Sequence, residues 1–251
     1  RNITHNKSLL SRYLFTLDKQ SGKRATLIFV DTHAQAEYYH DTFGISVDKM
    51  KRVFVGCDEV LFHPLPEKPE SCTVLYYCSY LPLHGVDVVV EAAELLQADT
   101  SIRFKIIGRG IEFGKIQKLI QERQISNIEL AAPVPVEQLP FEIQNSIICL
   151  GGHFGASSKA CRVIPGKVFQ MIAMGKPVIV GDNAANRELL THEVDSWFCE
   201  MNNPEALANA VSVLYHNKAL RSQIAGGALK TYQREANSEL LKSIVQNSII
   251  D

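Results

Sequence analysis

The sequence predicts an α/β protein built around a doubly wound parallel sheet. Short runs rich in β-branched and aromatic residues alternate with helical patterns along most of the chain, which is typical of parallel βαβ units. Apolar residues make up 46% of the 251 residues and charged residues 21%, the balance of a globular protein with a full core. A proline-rich segment at 63–71 interrupts the alternation, so we expect two parts that meet near residue 66.

The first part carries one strand, one helix and a second short strand. The run ATLIFV predicts a strand over 25–30, which is followed by a helix over 34–43 and a strand over 52–55. The segment HPLPEKPES at 63–71 contains three prolines, and proline cannot donate a hydrogen bond to a central strand pair. We therefore interpret this segment as a linker between two domains.

After the linker, strands and helices alternate regularly. We expect strands at 73–78, 104–107, 128–131, 147–150, 177–180 and 197–198. We expect helices at 86–97, 111–123, 136–145, 165–174 and 185–190, and further helix from Pro204 to about residue 245. Ligands of such sheets bind at the carboxyl ends of the strands, beside helix N-termini. The search for a site is therefore confined to the loops that follow the strands.

Composition excludes several classes of protein. Lys plus Arg total 26 and Asp plus Glu total 27, and this net charge of −1 argues against a broad nucleic-acid-binding face. The six cysteines form no CxxC pair, so we expect buried, reduced thiols rather than a metal site or a disulfide framework. No apolar run approaches the ~20 residues of a membrane span, and no signal peptide follows Arg1. We expect a cytoplasmic protein whose chain is a fragment or a processed form.

Two loops near the start of the second part have features of anion sites. The loop at 79–85 carries Ser79 and His84 just before a helix, where backbone N–H groups bind anions readily; an ordinary connecting loop is the alternative. The next loop has glycines at 108, 110 and 114, and its last glycine comes one residue too late for the dinucleotide-binding pattern. Gly108 therefore favours a tight turn over NAD binding.

The third and fourth loops suggest a base and a diphosphate. Pro133 stiffens the loop that also holds Val134, and the backbone edge of such a loop can contact a flat base. In the fourth loop, Lys159, Arg162 and Lys167 surround a predicted helix start at 165, which favours a diphosphate pocket. A solvated basic loop is the alternative.

Two further features belong to the fourth loop. The glycine-rich run around His153, Phe154 and Gly155 permits close approach of the backbone to a ligand. Gln170 lies three residues beyond Lys167 on nearly the same helix face, so its side chain can hydrogen-bond a pair of hydroxyls. A surface glutamine is the alternative.

Four segments together resemble a known family. They are DEVLFHP, YCSYLPLHGVDVVVEAAELL, VIPGKVFQMIAMGKPVIVGDNAANRELL and NNPEALANAVSVL. In order and spacing they look like the C-terminal, donor-binding half of a GT-B, family-4-type (group 1) glycosyltransferase. The resemblance covers roughly residues 25–240 and implies a Rossmann-like doubly wound parallel sheet. It also implies three regions: the tail end of an N-terminal acceptor domain over 1–66, a nucleotide-sugar-binding domain over 67–229 and a helix crossing back over 230–251.

The resemblance also implies roles for individual residues. Arg162 and Lys167 become the catalytic candidates, with His84 as a further cation that stabilises the diphosphate leaving group. The implied donor-binding residues are Ser79, Tyr80, His84, Gly108, Pro133, Val134, His153, Phe154, Gly155 and Gln170. The chain departs from the family where Ser79 and His84 replace an Arg and a Lys, and where Arg162 and Gln170 replace two Glu residues.

The resulting hypothesis is a retaining, metal-independent glycosyltransferase. No DxD motif is present, so we expect no metal and no cofactor, only a nucleotide-diphosphate-sugar donor. The acceptor class is a glycan or a lipid-linked sugar, and we expect no nucleic-acid partner. An N-terminal domain would supply peripheral attachment at the inner face of a membrane. The alternatives are a non-catalytic nucleotide-sugar-binding subunit that needs a partner acceptor domain, a sugar-nucleotide epimerase and an NAD oxidoreductase.

Overall fold

The structure is a computed structural model that describes residues 9–66, 73–155 and 157–250. The second half of the proposed linker, the boundary at residue 67 and Cys72 lie outside the described residues. In the described part, the order of elements follows the alternation that the sequence predicts. The two-part division at residue 66 stays a prediction.

A parallel six-stranded sheet forms the centre of the second part. Its strand order, β5-β4-β3-β6-β7-β8, is that of a doubly wound sheet. The strands that follow β3 are first added on one side of it, as β4 and β5, and then on the other side, as β6, β7 and β8. The strands are β3 (Thr73–Cys78), β4 (Arg103–Gly108), β5 (Ile128–Ala131), β6 (Ile148–Gly152), β7 (Val178–Gly181) and β8 (Trp197–Cys199). A ligand site is therefore expected at the carboxyl ends of β3 and β6.

Helices cover both faces of this sheet. They are α3 (Val86–Leu95), α4 (Phe113–Glu122), α5 (Leu139–Gln144), α6 (Gly166–Ala173), α7 (Ala184–Arg187), α8 (Pro204–His216), α9 (Lys218–Glu235) and α10 (Ser238–Ile250). The alternation of side chains along β3 explains the two layers. Val74 and Tyr76 pack in one core with α3 and α8, whereas Leu75 packs in the other core with α6 and α9.

The first part contains a parallel strand pair and two helices. These are α1 (Leu9–Arg24), β1 (Ile28–Val30), α2 (His33–Phe43) and β2 (Met50–Arg52). The Glu188 carboxylate, which follows α7, accepts hydrogen bonds from the backbone N–H groups of His33 at 2.8 Å and Ala34 at 2.9 Å. A carboxylate at a helix N-terminus is favoured because it satisfies unpaired N–H groups and the helix dipole. This contact attaches α2 to the second part.

The C-terminal helix is attached to the segment before the linker. Glu59 accepts hydrogen bonds from the Ser238 backbone N–H at 2.8 Å and from the Ser238 hydroxyl at 2.7 Å. The Tyr232 hydroxyl donates to the same carboxylate at 3.0 Å. These hydrogen bonds fix the start of α10 beside residues that precede the six-stranded sheet in the chain.

Three elements differ from the sequence prediction. Helix α1 was not expected, and none of its residues is buried. The strand predicted at 52–55 lies at Met50–Arg52, where it pairs with β1. The helical region predicted from Pro204 to about residue 245 is divided into α8, α9 and α10; Asn217 separates the first two helices, and Ala236 and Asn237 separate the last two.

Candidate functional site

A pocket of about 390 Å³ opens where the carboxyl ends of β3 and β4 meet the start of α6. Seven of the residues singled out from the sequence line it: Ser79, His84, Gly108, Pro133, Val134, Lys167 and Gln170. Sequence reasoning did not find the other lining residues, which are Tyr77, Cys78, Ile107, Leu139 and Gly166. Residues from four separate loops and strand ends therefore form one concave site.

Lys167 brings a buried positive charge to this pocket. Its Nζ is inaccessible to water and has no hydrogen-bond partner in the described part of the chain, although the residue as a whole is half-buried. The nitrogen lies 4.3 Å from the centroid of the Tyr76 ring, a cation–π contact. Loss of hydration lowers the pKa of Lys167 from its ordinary value of 10.5 to about 8, so the side chain remains mostly charged at neutral pH. Such a charge favours an anionic ligand.

His84 also lines the pocket, but it does not carry the charge that the sequence suggested. Burial, with the Lys167 charge nearby, lowers the pKa of His84 from 6.5 to about 4. The expectation of a cationic His84 is therefore wrong, because desolvation and the neighbouring ammonium both favour the neutral ring. The Leu81 backbone N–H donates to Nδ1 at 3.4 Å, which leaves the proton of the neutral ring on Nε2.

His153 lies behind His84 and not in the pocket lining. The two imidazole rings stack with centroids 5.4 Å apart and an interplanar angle of 19°. Burial lowers the pKa of His153 to about 3, with further contributions from the charge of Lys167 and from His84. Both rings are therefore neutral, and His153 packs against the ring that contacts the pocket.

Gln170 and the third loop form the other end of the pocket. The Tyr77 hydroxyl donates to Gln170 Oε1 at 2.6 Å, so the two side chains hold each other across the interface between β3 and α6. Pro133, Val134 and Leu139 contribute apolar surface beside them. The site thus combines a buried cation, a neutral imidazole donor, a primary amide and an apolar wall.

Arg162 is directed away from the pocket. Its guanidinium lies 3.6 Å from the centroid of the Tyr38 ring on α2, and its Nε donates to Gln35 Oε1 at 3.4 Å. The expected cluster of Arg162 with Lys167 and His84 is therefore not formed in this structure. The Tyr38 ring and the side-chain amide oxygen of Gln35, both on α2, hold the guanidinium outside the pocket lining.

Three other predicted donor-binding residues support the loops instead of lining the pocket. Tyr80 is fully buried against Phe113, with ring centroids 5.2 Å apart. Phe154 is fully buried against Tyr76, with ring centroids 5.9 Å apart. The Gly155 amide donates to the Leu83 carbonyl at 3.3 Å, and a Cβ at this position would overlap the neighbouring backbone. Gly155 thus joins the loop after β6 to the loop after β3, whereas Phe154 packs on β3 and Tyr80 packs on α4.

One signal in the sequence could have found Tyr77. The alternation along β3 places Tyr77 on the same face as Leu75, which is the face that α6 covers. Because α6 covers that face, a tyrosine at the end of it necessarily lies close to the first turns of α6. Leu139 and Ile107 give no comparable signal, because apolar residues at such positions are ordinary core candidates.

Within the described residues, no group of three or more His, Cys, Asp or Glu side chains could hold a metal ion. None of the helices in that part of the chain combines the length and the apolar character that crossing a bilayer requires.

The family model described as glycosyl transferases group 1 matches residues 59–231. The match covers more than half of the sequence, and the chain therefore belongs to this family. Among curated proteins, the uncharacterized glycosyltransferase MJ1178 of Methanocaldococcus jannaschii is 24% identical over 150 residues, 60% of this chain and 40% of that protein. The amylovoran biosynthesis glycosyltransferase AmsK of Erwinia amylovora is 25% identical over 126 residues, 49% of this chain and 31% of that protein. The chain spans less than half the length of both relatives.

Solved structures share the fold at low sequence identity. Alr3699/HepE of Anabaena, in complex with UDP and glucose, has a TM-score of 0.82 and 14% identity, with 96% of this chain and 67% of that chain covered. A TarM mutant of S. aureus, in complex with fondaparinux, alpha-GlcNAc-glycerol and UDP, has a TM-score of 0.77 and 16% identity, with 92% and 46% covered. These likenesses establish the GT-B fold of a glycosyltransferase, as the sequence predicted.

Proposed function

We propose that the pocket binds the nucleoside diphosphate of a nucleotide-sugar donor and that the protein transfers the sugar to a carbohydrate acceptor. The observation that carries this proposal is Lys167, a buried ammonium without a hydrogen-bond partner among the described residues, in the lining of a pocket at the strand ends. Burying an unpaired charge costs stability, and an anionic ligand offsets that cost. The diphosphate of a sugar donor supplies such an anion.

The arrangement of the remaining lining residues supports one orientation of the donor. The diphosphate lies between Lys167 and the neutral His84, beside the N-terminus of α6. The ribose lies at Gln170, and the base lies against the backbone and apolar side chains around Pro133 and Val134. The pocket volume of about 390 Å³ falls within the range of small-molecule sites.

Sugar transfer requires charge stabilisation on the departing diphosphate. As the bond between the sugar and the diphosphate breaks, negative charge grows on the phosphate oxygens. Lys167 offsets this charge with a nitrogen that is shielded from water, and electrostatic interactions of such a buried charge are strong. We propose that this charge, and not a metal ion, supports the reaction, and that the anomeric configuration of the sugar is retained, as in family-4-type enzymes. Full activity in the presence of EDTA is the expected result.

The partners that we propose follow from the relatives. Alr3699/HepE was solved with UDP and with UDP-glucose, which supports a UDP-sugar as the first donor to test. The name of AmsK refers to amylovoran biosynthesis, and TarM was solved with alpha-GlcNAc-glycerol; both support a carbohydrate acceptor, and we propose a glycan or a lipid-linked sugar. Attachment at the inner face of a membrane would come from an N-terminal domain and remains part of this proposal.

Calorimetry with UDP tests the diphosphate site. A contact to a charged group contributes about 1.5–3 kcal/mol, so Lys167→Met should weaken UDP binding by about tenfold or more. Lys118→Met is the matched control, since the Lys118 side chain is 73% exposed on α4. UDP affinity that is equal in the wild-type chain and Lys167→Met would overturn the proposal.

A non-catalytic binding subunit is the second candidate. It is favoured by the position of Arg162, whose side chain contacts Tyr38 instead of the pocket. Incubation with radiolabelled UDP-glucose separates the two candidates. Release of labelled glucose, or its transfer to an added acceptor, supports the enzyme. UDP binding with neither reaction, and activity only after a partner chain is added, supports the binding subunit.

A further inference from the structure

We propose that Tyr77 is a positioning residue that turns the amide nitrogen of Gln170 toward the ribose of the bound nucleotide. The site would then recognise a ribose hydroxyl oxygen as a hydrogen-bond acceptor. This inference rests on the proposed function, because it assumes that the pocket holds a nucleoside diphosphate. It adds a residue to which the family resemblance assigns no role, and a direction for the hydrogen bond to the sugar.

The geometry fixes the two side chains relative to each other. Tyr77 is the next-to-last residue of β3, and Gln170 lies on α6 three residues after Lys167. Both line the pocket, and the Tyr77 hydroxyl donates to Gln170 Oε1 at 2.6 Å. Burial holds the pKa of Tyr77 well above its ordinary value, so the phenol keeps the proton that it donates.

The two ends of the Gln170 amide differ in the hydrogen bonds that they can form with a ligand. An amide oxygen only accepts hydrogen bonds, and the NH₂ group only donates them. With Oε1 held by the phenol, Nε2 is the polar group of Gln170 that is left for the ligand, and no partner for it is found among the described residues. A carboxylate at this position would only accept hydrogen bonds and would need protons from the ribose hydroxyls. The amide nitrogen instead donates a hydrogen bond to an oxygen of the ribose hydroxyls.

The orientation also fits the electrostatics of the pocket. No carboxylate is found among the described lining residues, so no lining side chain competes with the diphosphate for the ammonium of Lys167. A glutamate at 170 would compete with the phosphates for this ammonium. The neutral amide contacts the ribose without that competition, provided that a second residue fixes which end of the amide faces the ligand. Tyr77 is in the position to do so.

The first experiment separates positioning from folding. The UDP affinity of the wild-type chain, Tyr77→Phe and the control Tyr39→Phe is measured by calorimetry, and so is the affinity for 2′,3′-dideoxy-UDP. Tyr77→Phe should weaken UDP binding about three- to tenfold and leave dideoxy-UDP binding unchanged within twofold, because only UDP has the ribose hydroxyls. Tyr39→Phe should change neither. An equal loss for both ligands in Tyr77→Phe would show a merely structural role and overturn the inference.

The second experiment tests the direction of the hydrogen bond. Fluorine accepts a weak hydrogen bond but cannot donate one, whereas hydrogen in a deoxy sugar does neither. The wild-type chain should bind the 2′-fluoro or the 3′-fluoro analogue of UDP more tightly than the matching deoxy analogue. Gln170→Glu should lose that difference. Fluoro analogues that bind no better than the deoxy analogues at both positions would overturn the inference, whereas failure of the wild-type chain to bind UDP would overturn the proposed function itself.

Discussion

Replacing Lys167 with methionine should stabilise the ligand-free protein and remove most of its affinity for UDP. The wild-type chain holds an ammonium without hydration or a hydrogen-bond partner in the described residues, and methionine fills a similar volume without a charge. Most substitutions of buried residues destabilise a protein, so a gain in stability that accompanies a loss of binding points to a residue kept for its ligand.

The expected stability gain of Lys167→Met is estimated from the pKa of Lys167 and from its contact with the Tyr76 ring. The lowering of the pKa of Lys167 from 10.5 to about 8 corresponds to a cost of about 3 kcal/mol at neutral pH. Methionine forfeits the cation–π contact with Tyr76, worth about 1–2 kcal/mol. The net gain is then about 1–2 kcal/mol, which raises the Tm of a chain of this size by about 3–6 °C.

The pH dependence of stability tests separately whether Lys167→Met gains or loses stability. Because the pKa of Lys167 is lower in the folded state than in the unfolded state, the stability lost by burying the charged ammonium is fully lost below about pH 8. The wild-type chain recovers that stability as the pH rises from about 8 to 10.5 and the buried ammonium loses its proton. The advantage of Lys167→Met should therefore be large at pH 7 and small at pH 10.

Thermal unfolding at both pH values, with and without UDP, tests the reasoning. UDP at 100 times the wild-type Kd should stabilise the wild-type chain by about 2.7 kcal/mol, and it should stabilise Lys167→Met by no more than about 1.4 kcal/mol, since the variant binds UDP at least tenfold more weakly. Lys118→Met, on the exposed face of α4, should behave as the wild-type chain in every condition. A lower Tm for Lys167→Met at pH 7, together with a full UDP-induced shift, would refute the argument.

Three other predictions concern the site and its attachment to the first part. UDP affinity measured by calorimetry should fall about tenfold per pH unit above about pH 8, because only protonated Lys167 pairs with the diphosphate; a flat profile from pH 7 to 10 would contradict this. His84→Gln should keep UDP affinity within about threefold, whereas His84→Asn should lower UDP affinity about tenfold. Only the longer amide places a nitrogen near the position of Nε2 in His84. Equal losses of affinity in both variants would exclude Nε2 as the donor. Glu188→Gln should destabilise the start of α2 by about 1–2 kcal/mol and speed amide exchange at His33 and Ala34, whereas Glu193→Gln, an exposed control, should not; unchanged exchange would contradict the role of Glu188.

The sequence predicted the six-stranded sheet because its signals are local. Strands β3 and β5 lie at the predicted residues, since each is a short run of mainly apolar residues bounded by turn residues. Helix α1 was not predicted; none of its residues is buried, and it contacts α2 through the rings of Phe15 and Phe43. The pairing of β2 with β1 likewise depends on a tertiary contact that a three-residue strand does not encode by itself.

The site was predictable in its location but not in its charges. The glycines, the prolines and Lys167 follow from the rule that ligands bind at the carboxyl ends of parallel strands. The neutrality of His84 depends on burial against His153, which comes from another strand end 69 residues later. The position of Arg162 depends on Tyr38, which lies on α2, far earlier in the chain. Neither contact leaves a local pattern in the sequence.

The two departures from the family's acidic pair have one physical consequence in common. Arg162 is held by Tyr38 outside the pocket, and Gln170 is neutral, so neither residue compensates the charge of Lys167. The ammonium is then balanced only when an anion enters. Binding of a diphosphate should therefore raise the pKa of Lys167 above 8 and take up protons from solution at alkaline pH, so that occupancy of the pocket and stability of the fold are linked through one proton.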